Sequence, residues 1–166
     1  MTTLDPETLE RLRRQVPLRL DRHGQFFFES DPVSHPRVRA LFLDGLDLTP
    51  EGEPCLKVGE QWCYLQVEDC LLRVVGVDRD PAGAPRLRLD DGRQVPLEPA
   101  TLWEEPGQGL RCTVPARLSG RPLSVRFTNT ALADLAPWLD DGDPVLLHIG
   151  DYRAPVPARP PEHPGP

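Results

Sequence analysis

Trp62 and Tyr64 stand two apart in the run Gln61 to Glu68, where Cys63, Leu65 and Val67 alternate with Trp62, Tyr64, Gln66 and Glu68. On an extended strand that spacing puts alternate side chains on opposite faces, one facing core and the other aromatic and polar. Two neighbouring rings offer a stacking platform for a base or another planar ligand. Arg73, set in the apolar run Leu71 to Val77, and Arg126, facing away from Val125 and Phe127, would supply planar forks for an anionic group. The same two rings also suit a packed contact between subdomains, and both readings place them at one seam.

Glu68 and Asp69 are a second candidate, because close carboxylates push each other's pKa apart and can serve acid–base chemistry or hold a ligand. Adjacent strand residues point to opposite faces, so they share a site only where Asp69 begins a turn. Solvated strand-end charges, or a partner for Arg73, is the plainer account. His23, His35 and His148 fall singly in a turn, at a helix start and in a strand. None is assigned as nucleophile or base.

The chain carries no Gly-x-x-x-x-Gly-Lys-Ser/Thr loop, no Gly-x-Ser-x-Gly elbow, no His-Glu-x-x-His and no Gly-x-Gly-x-x-Gly after a strand. Cys55, Cys63, Cys70 and Cys112 contain no Cys-x-x-Cys pair and read as small buried hydrophobes rather than zinc or redox ligands. No catalytic residue, metal ligand or cofactor is therefore assigned.

With a net charge of −7 and a pI near 5.1, the whole-molecule field repels phosphate backbones and anionic membranes. Duplex nucleic acid is not an expected partner. Apolar runs such as Leu41 to Leu43 fall far short of the roughly 20 residues that span a bilayer. The acidic, polar start lacks the parts of a signal peptide. A cytoplasmic protein with no membrane partner is expected. Lys57 is the sole lysine among 19 Lys and Arg, and arginine, proline, alanine and leucine are abundant, the mark of a GC-rich genome. The 21 prolines are background unless position gives them a role.

Several elements must position the candidate residues. Asp5-Pro6 starts an amphipathic helix over about 6–14, with Leu9, Leu12 and Val16 on one face. Leu18–Leu20 and Phe26–Phe28 form a hairpin, whose three aromatics in succession predict a strand covered on both faces. A capped helix over about 35–44 lies on that hairpin through Val38, Leu41 and Phe42. Strands follow at Leu46–Thr49, Cys55–Val58, Gln61–Glu68, Leu71–Val77, and at Arg86–Asp90 with Arg93–Leu97 around the Asp91-Gly92 turn. Residues 99–109 read as turn, before strands at Leu110–Val114 and Leu123–Phe127. A helix follows near 130–140, ended or kinked by Pro137, then a last strand at Val145–Ile149. After Tyr152 the chain is Pro-rich and without core residues. Its Pro157 and Pro160 have PxxP spacing, which a partner protein could read, with a frayed tail as the default.

Val16-Pro17-Leu18-Arg19-Leu20 recurs as Val114-Pro115-Ala116-Arg117-Leu118, each copy followed by a glycine, a strand and a helix. That order suggests a duplication that stacks two like units around a cleft.

Gly24-Gln25-Phe26-Phe27-Phe28, Pro32-Val33, Val38 with Leu41-Phe42, Glu60 and Val67-Glu68-Asp69 resemble the bacterial family called domain of unknown function 1285 (DUF1285). Its members show Gly-x-Trp-x-Tyr-x-Gly-x-Pro-Ile-x-Arg, a helix ending near Leu-Phe, and Val-Glu-Asp. The likeness spans roughly Leu18 to Val156 and is specific in the first half. It implies two related α+β subdomains, the second superficially like a pleckstrin-homology fold. It also implies a ligand site at their interface, for a nucleotide-like molecule in signalling. Here Ser30 replaces the family's glycine, His35 its basic residue, and Leu71-Leu72 its Pro-Phe. A histidine mostly neutral near pH 7 would hold a ligand phosphate less firmly.

The expected architecture is α+β, with an N-terminal subdomain over 1–70, a β-rich subdomain over 71–157 and a disordered tail over 158–166. Three functions fit: a non-enzymatic ligand-binding or signalling module with a site drawn from Trp62, Tyr64, Glu68, Asp69, Arg73, Arg126 and His35; a small enzyme acting on a nucleotide-like or phosphorylated substrate; or a structural domain that docks a protein partner.

Overall fold

The computed structural model describes residues 3–158 and is α+β, with several sheets and three helices among them. The Pro-rich residues from Pro160 onward, and with them the PxxP spacing and nearly all of the expected tail, lie outside the described residues. The chain divides into two units, one comprising residues up to Leu71 with Pro115–Leu123, the other Leu72–Val114 with the chain from Ser124.

In the first unit, helix α1 (Pro6–Gln15) is capped as the Asp5-Pro6 pair dictates, with Asp5 accepting from the Thr8 amide at 2.9 Å. Glu7 in its first turn and Arg13 and Arg14 in its last complement the helix dipole. Its apolar face is not what holds it, since α1 buries no residue and Leu12 is 44% exposed. Strands β1 (Leu18–Leu20) and β2 (Phe26–Phe28) form the expected hairpin around Gly24. The aromatic run is not covered throughout: Phe26 is buried edge-on against Phe42, while Phe28, two residues along on the same side of the strand, is 49% exposed. β3 (Asp31–Pro32) continues this sheet.

Helix α2 (Pro36–Asp44) follows, and of its apolar residues Leu43 is buried whereas Val38 and Leu41 remain exposed. Its end is set by Gly45, whose amide returns to the Leu41 and Phe42 carbonyls. A Cβ at Gly45 would meet the Lys57 carbonyl oxygen at 2.0 Å, so only glycine allows this approach. β4 (Leu46–Leu48), β5 (Pro54–Val58) and β6 (Gln61–Tyr64) make a three-stranded antiparallel sheet. The single strand expected over Gln61 to Glu68 is broken at Leu65, which is buried and donates its amide to Pro54. β7 (Gln66–Val67) leaves that sheet and pairs in parallel with β1.

The second unit is built on a six-stranded sheet that curls into a half-barrel. Its strands are β8 (Leu72–Arg79), β9 (Pro85–Leu89), β10 (Gln94–Pro96), β11 (Trp103–Glu105), β12 (Gly109–Pro115) and β13 (Pro122–Phe127), ordered β10-β9-β8-β13-β12-β11. β11 lies where only turn was expected; Trp103 anchors it, buried and donating to the Glu105 carboxylate at 3.1 Å. Helix α3 (Asn129–Leu135) packs on β8, capped by Thr128. Pro137 falls in a 3-10 turn over Ala136–Trp138, and Leu139 belongs to strand β14 (Leu139–Asp140) rather than to the helix. β15 (Leu146–Ile149) is not the last strand: β16 (Tyr152–Pro155) pairs with it, and Val156 is buried, correcting the expectation that nothing after Tyr152 joins a core.

The repeated letters do not play the same part twice. Leu18–Leu20 is a strand, whereas Val114-Pro115 ends one and Ala116 begins a turn closed by the Gly120 amide.

Candidate functional site

The three-stranded sheet of the first unit has one face that is not hydrophobic. Its register sets Asp47 opposite Cys55 and Cys55 opposite Tyr64, with Lys57 opposite Trp62 one row along. Period-two alternation therefore brings Asp47, Cys55, Lys57, Trp62 and Tyr64 to one side. An open hollow of about 610 Å³ lies against this face, lined also by the β4–β5 turn, by Arg121 and by Glu10 and Arg14 of α1.

The buried anchor of the face is Asp47, with no exposed surface. Ser119 Oγ donates to its Oδ1 at 2.5 Å, the Leu48 amide donates at 2.8 Å, and Lys57 Nζ lies 3.1 Å from Oδ2. Burial pushes this carboxyl up, but the hydrogen bonds from Ser119, Leu48 and Lys57, with the lysine charge, outweigh it and hold it below the ordinary value. Ser119 also accepts from the Arg121 amide, and Arg121 Nη1 donates to the Leu48 carbonyl at 3.0 Å. Asp47 thereby fixes Lys57 directly and, through Ser119, the backbone of Arg121, two of the three cations that line the hollow. Cys55 lies in the same lining, and burial pushes its thiol up, away from thiolate chemistry.

The wall is made by Trp62 and Tyr64, with ring centroids 5.1 Å apart and planes at 64°. Arg13 covers Trp62 at 4.2 Å and Arg14 covers Tyr64 at 3.9 Å. Arg14 also holds Glu53 with two parallel bonds of 3.0 and 3.1 Å and reaches Glu10 at 3.1 Å. The Tyr64 hydroxyl donates to Glu10 at 2.5 Å. That bond to an anion, with burial, pushes the phenol up, while the Arg14 fork holds the Glu53 carboxyl down. Lining charges balance, with Glu10, Glu51 and Glu53 against Arg14, Lys57 and Arg121.

Of the residues chosen from sequence, Trp62 and Tyr64 reach this hollow. Glu68 pairs with Arg19 at 2.8 Å and accepts from the Arg22 amide. Asp69 accepts a long contact of 3.9 Å from the Cys70 thiol. His35 caps α2 by accepting from the Arg37 amide through Nδ1. Arg73 and Arg126 belong to the second unit, in register with each other on β8 and β13. Arg73 is buried 3.6 Å from Asp90, which also accepts the Arg73 amide. Asp90 is thus one carboxylate partner of Arg73.

Sequence reasoning missed Asp47, Glu53, Arg13, Arg14 and Arg121. Asp47 sits between two leucines in a short strand and reads as an exposed alternate residue, because its partners are ten and more than seventy residues away. The adjacent arginines near the end of α1 were the one local signal. Among the described residues, no group of three or more His, Cys, Asp or Glu converges as a metal site, and no helix is long and apolar enough to cross a membrane.

No family model matches the sequence, and no curated protein matches it. The fold is similar to the crystal structure of a DUF1285 family protein from Silicibacter pomeroyi DSS-3, with a TM-score of 0.65 over 85% of this chain and 79% of that one, at 16% identity. It is also similar to a DUF1285 family protein from Shewanella baltica OS155, with a TM-score of 0.57 over 74% of this chain and 92% of that one, at 15% identity. The chain is thus DUF1285-like in fold.

Proposed function

We propose that this protein is a non-catalytic binding module, serving signalling, whose first unit holds a planar, nucleotide-like small molecule bearing one anionic group. The observation that carries the reading is the hollow of about 610 Å³ with aromatic side chains on its wall, Lys57 held by Asp47 and Arg121 held by the Leu48 carbonyl. Its size suits a small ligand, for which about 300–1,000 Å³ is usual. The balanced lining does not draw in polyanions as a class, so an anion is selected by the placement of Lys57 and Arg121. The buried, up-shifted Cys55 supports a binding role over nucleophilic catalysis.

The test is a thermal-shift and calorimetric panel of AMP, GMP, flavin mononucleotide and inorganic phosphate. A ligand present at 100 times its Kd stabilises its unit by about 2.7 kcal/mol. At least one planar phosphate should bind more tightly than inorganic phosphate, and Trp62→Ala and Arg121→Ala should each weaken it. No binding at millimolar ligand, or binding indifferent to both substitutions, overturns the reading.

A further inference from the structure

The wall of this hollow is already occupied, by the chain's own arginines. Arg14 lies 3.9 Å over Tyr64 while Glu53 accepts its fork with two bonds of 3.0 and 3.1 Å, and Arg13 lies 4.2 Å over Trp62. A π face with a carboxylate placed to take two parallel N–H bonds is how a planar guanidinium is recognised. An ammonium ion matches neither the stacking nor the fork.

The occupying helix is weakly attached by other means. α1 buries no side chain, leaves Leu12 exposed, and at ten residues has little stability of its own. Arg14, Glu53 and Tyr64 also line a second hollow, of about 260 Å³, so the Arg14–Glu53 bridge borders both recesses.

We propose that Trp62, Tyr64 and Glu53 form an arginine-binding cage that α1 fills in cis, and that the ligand displacing α1 carries guanidinium groups. Two rings 5.1 Å apart, covered by consecutive arginines, fit an Arg-Arg pair in a peptide better than a single free guanidinium. The proposal shares the Trp62–Tyr64 wall with the anion-binding reading but does not rest on it, because it needs neither Lys57 nor Arg121.

The test uses the full chain and two probes, N-acetyl-Arg-amide and N-acetyl-Arg-Arg-amide, with the Lys-Lys peptide as control. Binding is read by Trp62 fluorescence and by NMR. In Arg13→Ala/Arg14→Ala the cage is vacated, and affinity for the Arg-Arg peptide should rise about tenfold over the unaltered chain if α1 fills the cage nine-tenths of the time. The Arg13→Lys/Arg14→Lys variant keeps the charge and should open the cage as well. Adding Glu53→Gln to either variant should abolish the gain, and the Lys-Lys peptide should bind more weakly throughout. If single arginine binds as well as the pair, the ligand is a free guanidinium compound, and the peptide part of the proposal is overturned. Equal affinity of the unaltered chain and both variants for the Arg-Arg peptide, or Lys-Lys binding equal to Arg-Arg, overturns the cage itself. AMP binding by the unaltered chain is scored separately, so either reading can fail alone.

Discussion

Ser119→Ala tests the physical basis of the site. Ser119 lies in the segment Pro115–Leu123 and donates at 2.5 Å to a carboxylate with no exposed surface. A hydrogen bond to a buried charge contributes about 1.5–3 kcal/mol, roughly twice a neutral one. The Arg121 amide also loses its Ser119 acceptor. We therefore expect a loss of about 2 kcal/mol at pH 7. Lys57→Met should cost less, about 1 kcal/mol, although it removes a full charge, because the Lys57 side chain is 31% exposed and water screens the pair. The order Ser119→Ala above Lys57→Met separates hydrogen bonding from charge pairing as the main support of Asp47. The folded Asp47 carboxyl lies below its ordinary 3.8. Its contribution is thus complete above that value and disappears as pH falls through the folded value. The Ser119→Ala deficit must accordingly shrink below pH 3.8, and in an Asp47→Asn background it should fall to about 1 kcal/mol or less. Urea unfolding followed by both fluorescence and circular dichroism, to separate transitions of the two units, measures each value. A deficit under about 0.5 kcal/mol at pH 7, or one unchanged at low pH or by Asp47→Asn, refutes the argument.

Gly45→Ala should cost about 2 kcal/mol or more in urea, since its Cβ would lie 2.0 Å from the Lys57 backbone oxygen and the backbone itself must move. Gly76→Ala meets the far end of the Arg88 side chain at the same 2.0 Å, and should cost under about 1 kcal/mol because that exposed guanidinium swings away from Asp78. The Glu53 carboxyl is held below its ordinary 4.5 by Arg14, so docking of α1 is supported above that pH and lost as pH falls through the folded value. Trp62 fluorescence should report α1 release below pH 4.5, and at pH 7 tryptic cleavage after Arg13 and Arg14 should quicken in 1 M NaCl. Burial pushes the Cys55 and Cys63 thiols up, so alkylation of native protein at pH 8 should be slower at both than in urea.

Local chemistry made much of the framework readable. Asp5-Pro6 starts α1, Gly24 turns the first hairpin and Asp91-Gly92 turns another, because each depends on atoms within four residues. The errors share one cause. Gln61 to Glu68 alternates without a break, but pairing with β5 on one side of Leu65 and with β1 on the other divides it. Phe26 to Phe28 looked buried throughout, but Phe28 is left half-exposed. Tyr152 to Val156 looked like tail, but β15 supplies its hydrogen-bonding edge.

The candidate site divides in the same way. Trp62 and Tyr64 stood out because a spacing of two on a strand gives a shared face whatever the surroundings. Asp47, Glu53, Arg14 and Arg121 did not, since a charged residue is solvated unless a distant segment desolvates or pairs it. Residue types and short spacings determined the caps, the turns and the aromatic face. Tertiary structure decided which charges are buried, which helix face meets the sheet, and that arginines of α1 lie over Trp62 and Tyr64. Long-range pairing sets those outcomes, and its partners lie as far apart as Asp47 and Ser119.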